Sequence, residues 1–340
     1  MVAGLNDSYA LASKLTLNRI KNAARVFTSY ILSRQNGRPD IGGLPISLAI
    51  EPTTACNLRC PECPSGLRSF SRPTGKLNPT FFRQIIDELS STLAYLTFYF
   101  QGEPYLNPAF LEMVEYASRK GIYTATSTNG HFLDRERARE TVESGLGRLI
   151  ISIDGITQET YAAYRQEGHL DKVFEATENV LYWRRKLDRR GPTVIWQFLV
   201  VKPNEHEIEG ARRLAKKYGV DKLALKTAQI YEYENGNELI PTIDKYSRYR
   251  QASNGTFQIK NKLLDHCWKM WSSCVITWDG RVVPCCFDKD AHHSLGALSQ
   301  NTFHEIWHSE AYRLFRQSVL RGRSEIEMCR NCTEGTKIWA

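Results

Sequence analysis

The sequence contains no long apolar run and no feature that would direct it through a membrane. No stretch of its 340 residues approaches the roughly 18 consecutive apolar residues that span a bilayer. Residues 1–27 lack the unbroken apolar core of a signal peptide. We therefore expect a cytoplasmic protein, in which thiols stay reduced. Nine cysteines then indicate metal or redox chemistry more readily than disulfides.

Basic residues are concentrated at the N-terminus. Residues 1–45 carry six Lys or Arg against two Asp or Glu, out of a net charge of +8. No basic run is interleaved with aromatic residues, which argues against nucleic-acid binding. A helix with one apolar face is predicted between Leu17 and Arg34 by the apolar residues Leu17, Ile20, Ala24, Phe27 and Ile31. We expect that face to cap a larger domain, and weak contact with an anionic membrane surface is the alternative.

Residues 46–235 alternate between strand-like and helical segments. Six apolar, β-rich runs are separated by amphipathic stretches: "ISLAIEPT", "YLTFYFQG", "IYTATSTNG", "RLIISIDG", "TVIWQFLVV" and "KLALKTAQI". This alternation predicts a parallel sheet with right-handed crossovers, either doubly wound or an incomplete barrel. In both architectures the active site lies at the carboxyl ends of the strands.

Polar and small residues collect at those predicted strand ends. A cysteine-rich loop follows the first strand, and "QGEP", "STNG" and "SIDG" end the next three. Gln197 lies late in the fifth strand, and Lys226 lies in the sixth. Such residues suit a site that holds a polar ligand over the sheet.

Three cysteines in the first loop, Cys56, Cys60 and Cys63, have no fourth cysteine or histidine nearby. A structural zinc site needs four ligands in a closed tetrahedron. A [4Fe–4S] cluster bound by only three thiolates keeps one iron open for an outside ligand. The spacing therefore favours such a cluster over zinc completed by a distant histidine.

Cys-x3-Cys-x2-Cys after the first strand of a six-fold β/α chain resembles the radical S-adenosylmethionine (radical SAM) superfamily. The resemblance covers residues from about 46 to 235 and implies a partial (β/α)6 TIM-like barrel of the α/β class. It also implies a [4Fe–4S] cluster that chelates S-adenosylmethionine through its amino and carboxylate groups. Reductive cleavage would then yield methionine and a 5′-deoxyadenosyl radical, which abstracts a substrate hydrogen atom.

The resemblance also implies the residues that bind the cofactor. "QGEP" matches the family's Gly-Gly-Glu-Pro element, in which Glu103 would accept hydrogen bonds from the methionine ammonium. The implied cofactor-binding residues are Gly102, Glu103, Pro104, Ser127, Asn129, Ser152 and Gln197. Two positions depart from the family pattern: Gln101 replaces the first glycine, and Glu62 stands where an aromatic residue often packs near adenine.

The other six cysteines lie in the last quarter of the chain. "CVITWDGRVVPCC" predicts a hairpin with its turn at Asp279-Gly280. The spacing resembles a SPASM/Twitch auxiliary-cluster domain, with the shorter Twitch form fitting better. The resemblance implies one auxiliary [4Fe–4S] cluster bound by Cys267, Cys285, Cys329 and Cys332. Zinc is the alternative there; Cys274 could replace Cys267, and Cys286 is expected to be a small buried hydrophobe.

Together these features predict a helical arm (1–45), a radical SAM core barrel (46–235), a linker (236–262) and an auxiliary iron–sulfur domain (263–340). The expected substrate is a sugar, cyclitol or lipid-linked small molecule. The arm looks too short for the winged-helix domain of many peptide-modifying relatives, so a peptide maturase of the SPASM type is one alternative. A zinc-stabilised, non-catalytic binding protein is the other. The expected electron donor is a flavodoxin or ferredoxin, and Lys226, Asp154 and Tyr99 are candidate catalytic residues.

Overall fold

The computed structural model describes residues 2–335. Residue 1 and residues 336–340, at the ends of the predicted arm and C-terminal domain, lie outside the described residues. Over the part that is described, no helix combines the length and the apolar character needed to cross a bilayer.

Strands and helices alternate along the described chain. The strands are β1 (Ser47–Ile50), β2 (Tyr95–Thr97), β3 (Tyr123–Thr128), β4 (Arg148–Ser152), β5 (Thr193–Val200), β6 (Lys222–Thr227), β7 (Tyr249–Gln251), β8 (Phe257–Ile259), β9 (Ser273–Ile276), β10 (Arg281–Val283) and β11 (Gly296–Ala297). The α-helices are α1 (Val2–Ala12), α2 (Leu17–Asn36), α3 (Pro64–Leu67), α4 (Pro79–Leu89), α5 (Phe110–Arg119), α6 (Arg135–Glu143), α7 (Gln158–Tyr164), α8 (Leu170–Lys186), α9 (Ile208–Tyr218), α10 (Lys269–Ser272), α11 (Phe303–Trp307), α12 (Glu310–Gly322) and α13 (Glu327–Arg330). Short 3₁₀ turns cover Pro104–Leu106, Lys202–Glu207, Asp244–Tyr246 and Arg323–Glu325.

The six predicted strands form one parallel sheet. Strands β1 to β6 pair in chain order, each parallel to the next, with helices in the crossovers. Apolar residues of these strands, such as Leu96, Ile151 and Trp196, are fully buried against the surrounding helices. The partial barrel predicted from the sequence is therefore confirmed, and the carboxyl ends of six parallel strands share one edge.

The two Asn-Pro pairs predicted to start helices have different roles. The Asn78 side chain accepts hydrogen bonds from the backbone N–H groups of Thr80 and Phe81, which starts α4 as its sequence predicts. The second Asn-Pro pair works differently. Asn107 donates to the backbone carbonyls of Pro52 and Leu77 and so ties two loops together, while α5 begins only at Phe110.

The C-terminal hairpin extends the barrel sheet. Strand β9 runs antiparallel to β10, as predicted, but it also pairs parallel with β1, so that Ser273 lies opposite Ser47 and Ile276 opposite Ile50. The result is a nine-stranded sheet in the order β11-β10-β9-β1-β2-β3-β4-β5-β6. The sequence does not predict this pairing, and it brings the second cysteine group beside the first strand of the barrel.

The predicted orientation of the N-terminal helix is wrong. The buried face of α2 consists largely of Arg19, Asn22, Val26, Ser29, Tyr30 and Ser33. The Arg19 guanidinium donates to backbone carbonyls at the ends of α4 and α5, and the Asn22 amide exchanges two hydrogen bonds with the Leu44 backbone. The helix docks through these polar contacts and through Val26 and Tyr30, which pack with Met270 and Trp271. Leu17, Ile20 and Phe27 of the predicted apolar face are exposed.

A buried ion pair joins the barrel to the C-terminal segment. The Arg72 guanidinium binds both oxygens of the Glu51 carboxylate at 2.6 Å, and both side chains are excluded from solvent. Glu51 follows β1 and also accepts from the Trp278 backbone N–H, while Arg72 donates to the Lys289 carbonyl. Three distant chain segments are therefore held at one point.

Replacing Arg72 by Met should leave the Glu51 carboxylate buried and unpaired. We expect the free energy of unfolding to fall by about 3–5 kcal/mol, measured by anaerobic urea denaturation. The double variant Glu51→Leu/Arg72→Met should recover most of this loss. In the exposed Arg83–Glu112 pair, Arg83→Met should cost less than about 1 kcal/mol. Equal losses at both sites would contradict a structural role for the buried pair.

Candidate active site

The first cysteine group lies on the loop between β1 and α3. Cys56, Cys60 and Cys63 line a cavity of about 290 Å³ at the carboxyl ends of the first four strands. Burial raises the pKa of Cys56 to about 12 and also raises that of Cys60. Metal binding must therefore displace protons from these thiols.

The "QGEP" loop packs directly against the cysteine loop. Gly102 has φ +75°, and a Cβ atom built there would lie 2.2 Å from the Thr53 carbonyl oxygen. Its backbone N–H donates to the Ser65 hydroxyl, and the Glu103 N–H donates to the Ala55 carbonyl. Only glycine tolerates both the conformation and this close approach. The loop thereby fixes the position of the next residue.

Glu103 is a buried carboxylate surrounded by donors. Its oxygens accept hydrogen bonds from the Thr128 hydroxyl and the Asn129 backbone N–H, both at 2.8 Å, and from the Tyr105 N–H at 3.3 Å. Burial nevertheless raises the pKa of Glu103 to about 7. The hydrogen bonds orient the carboxylate toward the cavity, where a cationic ligand would favour its ionised form.

Arg165 is a site residue that the sequence analysis missed. It lines the cavity, pairs with the Asp154 carboxylate at 2.5 Å and donates to the Cys60 sulfur at 3.7 Å. Asp154 is fully buried and also accepts from the Leu199 backbone N–H. A buried aspartate requires a cationic partner. Because the sequence already places Asp154 at a strand end, it could have indicated that an arginine or lysine pairs with it. Asp154 therefore acts through Arg165.

Five of the seven predicted cofactor-binding residues line this cavity: Gly102, Glu103, Ser127, Asn129 and Ser152. Pro104 and Gln197 are not among its lining residues. Gln101 and Glu62, the two departures from the family pattern, do line it. The Glu62 carboxylate accepts a hydrogen bond from the Tyr231 backbone N–H and so holds the loop after β6. Position 62 is the one at which the family often has an aromatic residue. These cofactor assignments stay predictions.

The second cysteine group surrounds another cavity. Cys267, Cys285, Cys329 and Cys332 all line it, although they come from widely separated points of the chain. Cys274 is not among its lining residues and lies on β9, in the barrel core beside Leu48. This placement favours Cys267 over Cys274 as the ligand. Cys286, expected to be buried, is instead exposed and lines a neighbouring cavity.

Basic side chains accompany these four thiols. Arg323 is buried and donates to the Cys332 sulfur at 3.0 Å and to the Glu334 carbonyl. Lys269 lines the same cavity and pairs with the Glu334 carboxylate at 2.7 Å. Burial raises the pKa of Cys329 to about 11, and Arg323 opposes that rise. The positive charge suits a group that carries several thiolates.

An inner cavity of about 200 Å³ lies between the two cysteine groups. Tyr99 lines both this inner cavity and the first cysteine cavity, while Lys269 and Cys285 line both it and the second. Of the candidate catalytic residues, Tyr99 therefore stands between the sites. Lys226 is exposed on β6 and is not among the residues that line these three cavities.

The donor sets fit iron–sulfur clusters. Within residues 2–335, no three His, Cys, Asp or Glu side chains come together closely enough to bind a single metal ion. Each thiol set lines a cavity, with a volume of about 290 Å³ at the first set and about 10 Å³ at the second. Three thiols beside a buried carboxylate suit a cluster with an open iron, and four thiols suit a fully ligated one.

The fold and the site together define a partial β/α-barrel enzyme with two cysteine centres. The chain belongs to the radical SAM superfamily, whose family model matches residues 50–221, just over half of the sequence. A SPASM model, described as an iron–sulfur cluster-binding domain, matches residues 267–333. These matches imply [4Fe–4S] clusters and S-adenosylmethionine as cofactors.

Curated relatives cover most of the chain at low identity. The PqqA peptide cyclase of Bradyrhizobium diazoefficiens is 25% identical over 84% of this chain and 79% of its own. Mycofactocin maturase MftC of Mycobacterium tuberculosis is 27% identical over 85% and 75%. A tungsten-containing aldehyde ferredoxin oxidoreductase cofactor-modifying protein of Pyrococcus furiosus is 26% identical over 79% and 82%.

Solved structures share the fold. SuiB of Streptococcus suis bound to S-adenosylmethionine has a TM-score of 0.64 at 11% identity and covers 91% of this chain and 76% of its own. Native anSMEcpe with bound AdoMet and Cp18Cys peptide has a TM-score of 0.59 at 16% identity, covering 86% and 89%. At these identities the likeness establishes the architecture alone.

The ligand choice in the C-terminal domain can be tested with paired variants. Cys267→Ala should lower iron and labile sulfide to about half after anaerobic reconstitution, because one cluster loses a ligand. Cys274→Ala should leave both contents unchanged and lower stability by only about 1 kcal/mol, the cost of a small cavity. The reverse pattern would make Cys274 the ligand.

Cofactor affinity should depend on pH through Glu103. Its pKa of about 7 in the free protein means that it becomes protonated as the pH falls, and a neutral carboxyl attracts an ammonium group poorly. Affinity for S-adenosylmethionine should therefore fall below pH 7, by roughly tenfold per pH unit at the acid end.

The matched variant Glu103→Gln should bind weakly at every pH between 5.5 and 7.5, with both clusters assembled. Anaerobic equilibrium dialysis with labelled cofactor measures both profiles. A flat wild-type profile would remove Glu103 from the ammonium site.

Proposed function

We propose that this enzyme modifies a side chain or backbone carbon of a peptide by hydrogen-atom abstraction. The names of its relatives support a peptide, since they include a PqqA peptide cyclase. They favour this alternative over the sugar, cyclitol or lipid-linked substrate expected from the sequence, which remains a prediction.

A large groove beside the cofactor cavity is the observation that carries this proposal. The groove has a volume of about 650 Å³ and is open to solvent. Four separate segments form its walls: residues 64–70 after the cysteine loop, residues 229–234 after β6, and residues 287–293 and 327–331 of the C-terminal part. Aromatic side chains of the first three line it, namely Phe70, Tyr231, Tyr233 and Phe287. An open groove with aromatic walls suits an extended chain better than a small polar molecule.

Lys289 stands where the groove meets the cofactor cavity. It lines both, and no other residue is common to the two sets of lining residues in the described chain. Its ammonium lies 4.7 Å from the centre of the Tyr231 ring, and it forms no ion pair with a described carboxylate. Burial lowers the pKa of Lys289. A substrate carbonyl or carboxylate passing from groove to cavity would find its donor here.

The residues of the chain bind and orient, and the cofactor supplies the radical. When bound, the first cluster and S-adenosylmethionine supply a 5′-deoxyadenosyl radical that removes a hydrogen atom. Cys56, Cys60 and Cys63 would hold that cluster, and Glu103 would hold the methionine ammonium. Tyr99 would close the cofactor cavity toward the interior and limit water there.

The second centre would lie within reach of the reacting carbon. Cys267, Cys285, Cys329 and Cys332 would hold a cluster on the far side of the inner cavity. Such a cluster offers a place for the electron that a substrate radical loses on oxidation. The flavodoxin or ferredoxin expected to reduce the first cluster remains a prediction.

The substrate class can be tested by deuterium transfer. The reduced, reconstituted enzyme is incubated with a deuterated cell extract, split by size into a peptide fraction and a small-molecule fraction. Deuterium should enter 5′-deoxyadenosine from the peptide fraction, because the abstracted atom stays with that product. Mass spectrometry of 5′-deoxyadenosine provides the measurement.

Two controls make the result decisive. Protease treatment of the peptide fraction should remove the signal, and the variant with Cys56, Cys60 and Cys63 all replaced by Ala should produce no 5′-deoxyadenosine. Transfer from the small-molecule fraction alone would overturn the peptide proposal and restore the sugar, cyclitol or lipid-linked substrate.

A further inference from the structure

The outer face of α2 carries an exposed apolar stripe, formed by Leu17, Ile20, Ala24 and Phe27. Leu17 is 66% exposed, Ile20 is 52% exposed and Phe27 is 41% exposed. Leu15, just before the helix, adds a further large apolar side chain that is 46% exposed. These residues recur at intervals of three and four, so they form a continuous line along one side of the helix.

The stripe contributes little to docking of the helix. Arg19, Asn22, Tyr30 and Ser33 hold α2 through hydrogen bonds from its opposite face. At one end of the stripe, Phe27 meets the edge of the Trp268 ring, and the rest faces solvent. The fold therefore does not require these four positions to be apolar.

Basic side chains flank the stripe. Lys21 and Arg25 are one helical turn apart and exposed beside it, and neither forms an ion pair with a described residue. Lys14, in the turn between α1 and α2, precedes the Leu17 end of the stripe. An apolar line bordered by free cations matches a lipid surface whose headgroups are anionic.

The start of the helix, at Arg19, lies at the end of the barrel opposite the first cysteine group, while Val26 and Tyr30 pack beside Cys267 of the second. Arg19 contacts the carbonyls of Ser90, Lys120 and Gly121, which follow α4 and α5 and precede the amino ends of β2 and β3. The cysteine loop lies at the carboxyl ends of the same sheet. A surface bound by α2 would therefore leave the mouth of the active site free.

We propose that α2 is a docking surface for an anionic membrane, with the apolar stripe inserted among the lipids and Lys21 and Arg25 at the headgroups. A second copy of the chain fits less well, because two stripes in contact would bring these cations together. This inference is independent of the proposed substrate.

Sedimentation of the full reconstituted chain with lipid vesicles tests the proposal. Phosphatidylcholine vesicles containing roughly one third phosphatidylglycerol should bind the protein at least tenfold more tightly than pure phosphatidylcholine vesicles. Lys21→Glu/Arg25→Glu should weaken that binding by at least about fivefold per residue. Leu17→Ser/Ile20→Ser should weaken it by roughly tenfold or more, and since both side chains are exposed the thermal unfolding midpoint should not change.

Matched variants elsewhere serve as controls. Lys216→Glu/Lys217→Glu on α9 changes the net charge equally at exposed positions, and Leu314→Ser removes an equally exposed leucine from α12; both should bind like wild type. Equal binding to the two kinds of vesicle, or no effect of the α2 variants, would overturn the proposal. So would a dimer, detected by light scattering, that Leu17→Ser/Ile20→Ser dissociates without any vesicle binding by wild type.

Discussion

The parallel pairing of β9 with β1 determines where the two cysteine centres lie. Four residue pairs join these strands; the first cysteine loop follows β1, whereas Cys285 follows β10, which runs back antiparallel to β9. The first cysteine loop therefore lies at the carboxyl end of β1, whereas Cys285 lies near the amino ends of β1 and β9, beside Ser47 and Ser273. The buried Glu51–Arg72 pair then fixes the loops beyond the strands. The inner cavity, lined by residues of β1, β2 and β9 and by Cys285, follows from this pairing, and separate folding of the C-terminal part would not create it.

Buried charge is the second organising feature of the site. Glu51, Asp154 and Glu103 all follow strands of the sheet, yet each has a different partner. Glu51 has Arg72 and Asp154 has Arg165, so both are paired within the protein. Glu103 has only neutral hydrogen-bond donors, and its charge remains available for a ligand. The unpaired member of the series is therefore the one placed to bind a cation.

Local patterns predicted much of this molecule, and contacts between distant residues account for the rest. The six strands, the hairpin and the cysteine triad follow from spacing within short segments. Arg165 was missed because its role depends on Asp154 and Cys60, which only the fold brings together. The inner face of α2 was misjudged because hydrophobic periodicity cannot show that Arg19 and Asn22 find backbone partners elsewhere. The parallel pairing of β9 with β1 could not be predicted from spacing or from hydrophobic periodicity.

The two parts of the site differ in how well they tolerate substitutions, and Gly102 belongs to the part that does not. The backbone of the cysteine loop presses against it so closely that any side chain would displace that loop. The groove, by contrast, takes its walls from four segments and is open to solvent. Substitutions in the groove walls can therefore change its shape and polarity without displacing the cysteine loop.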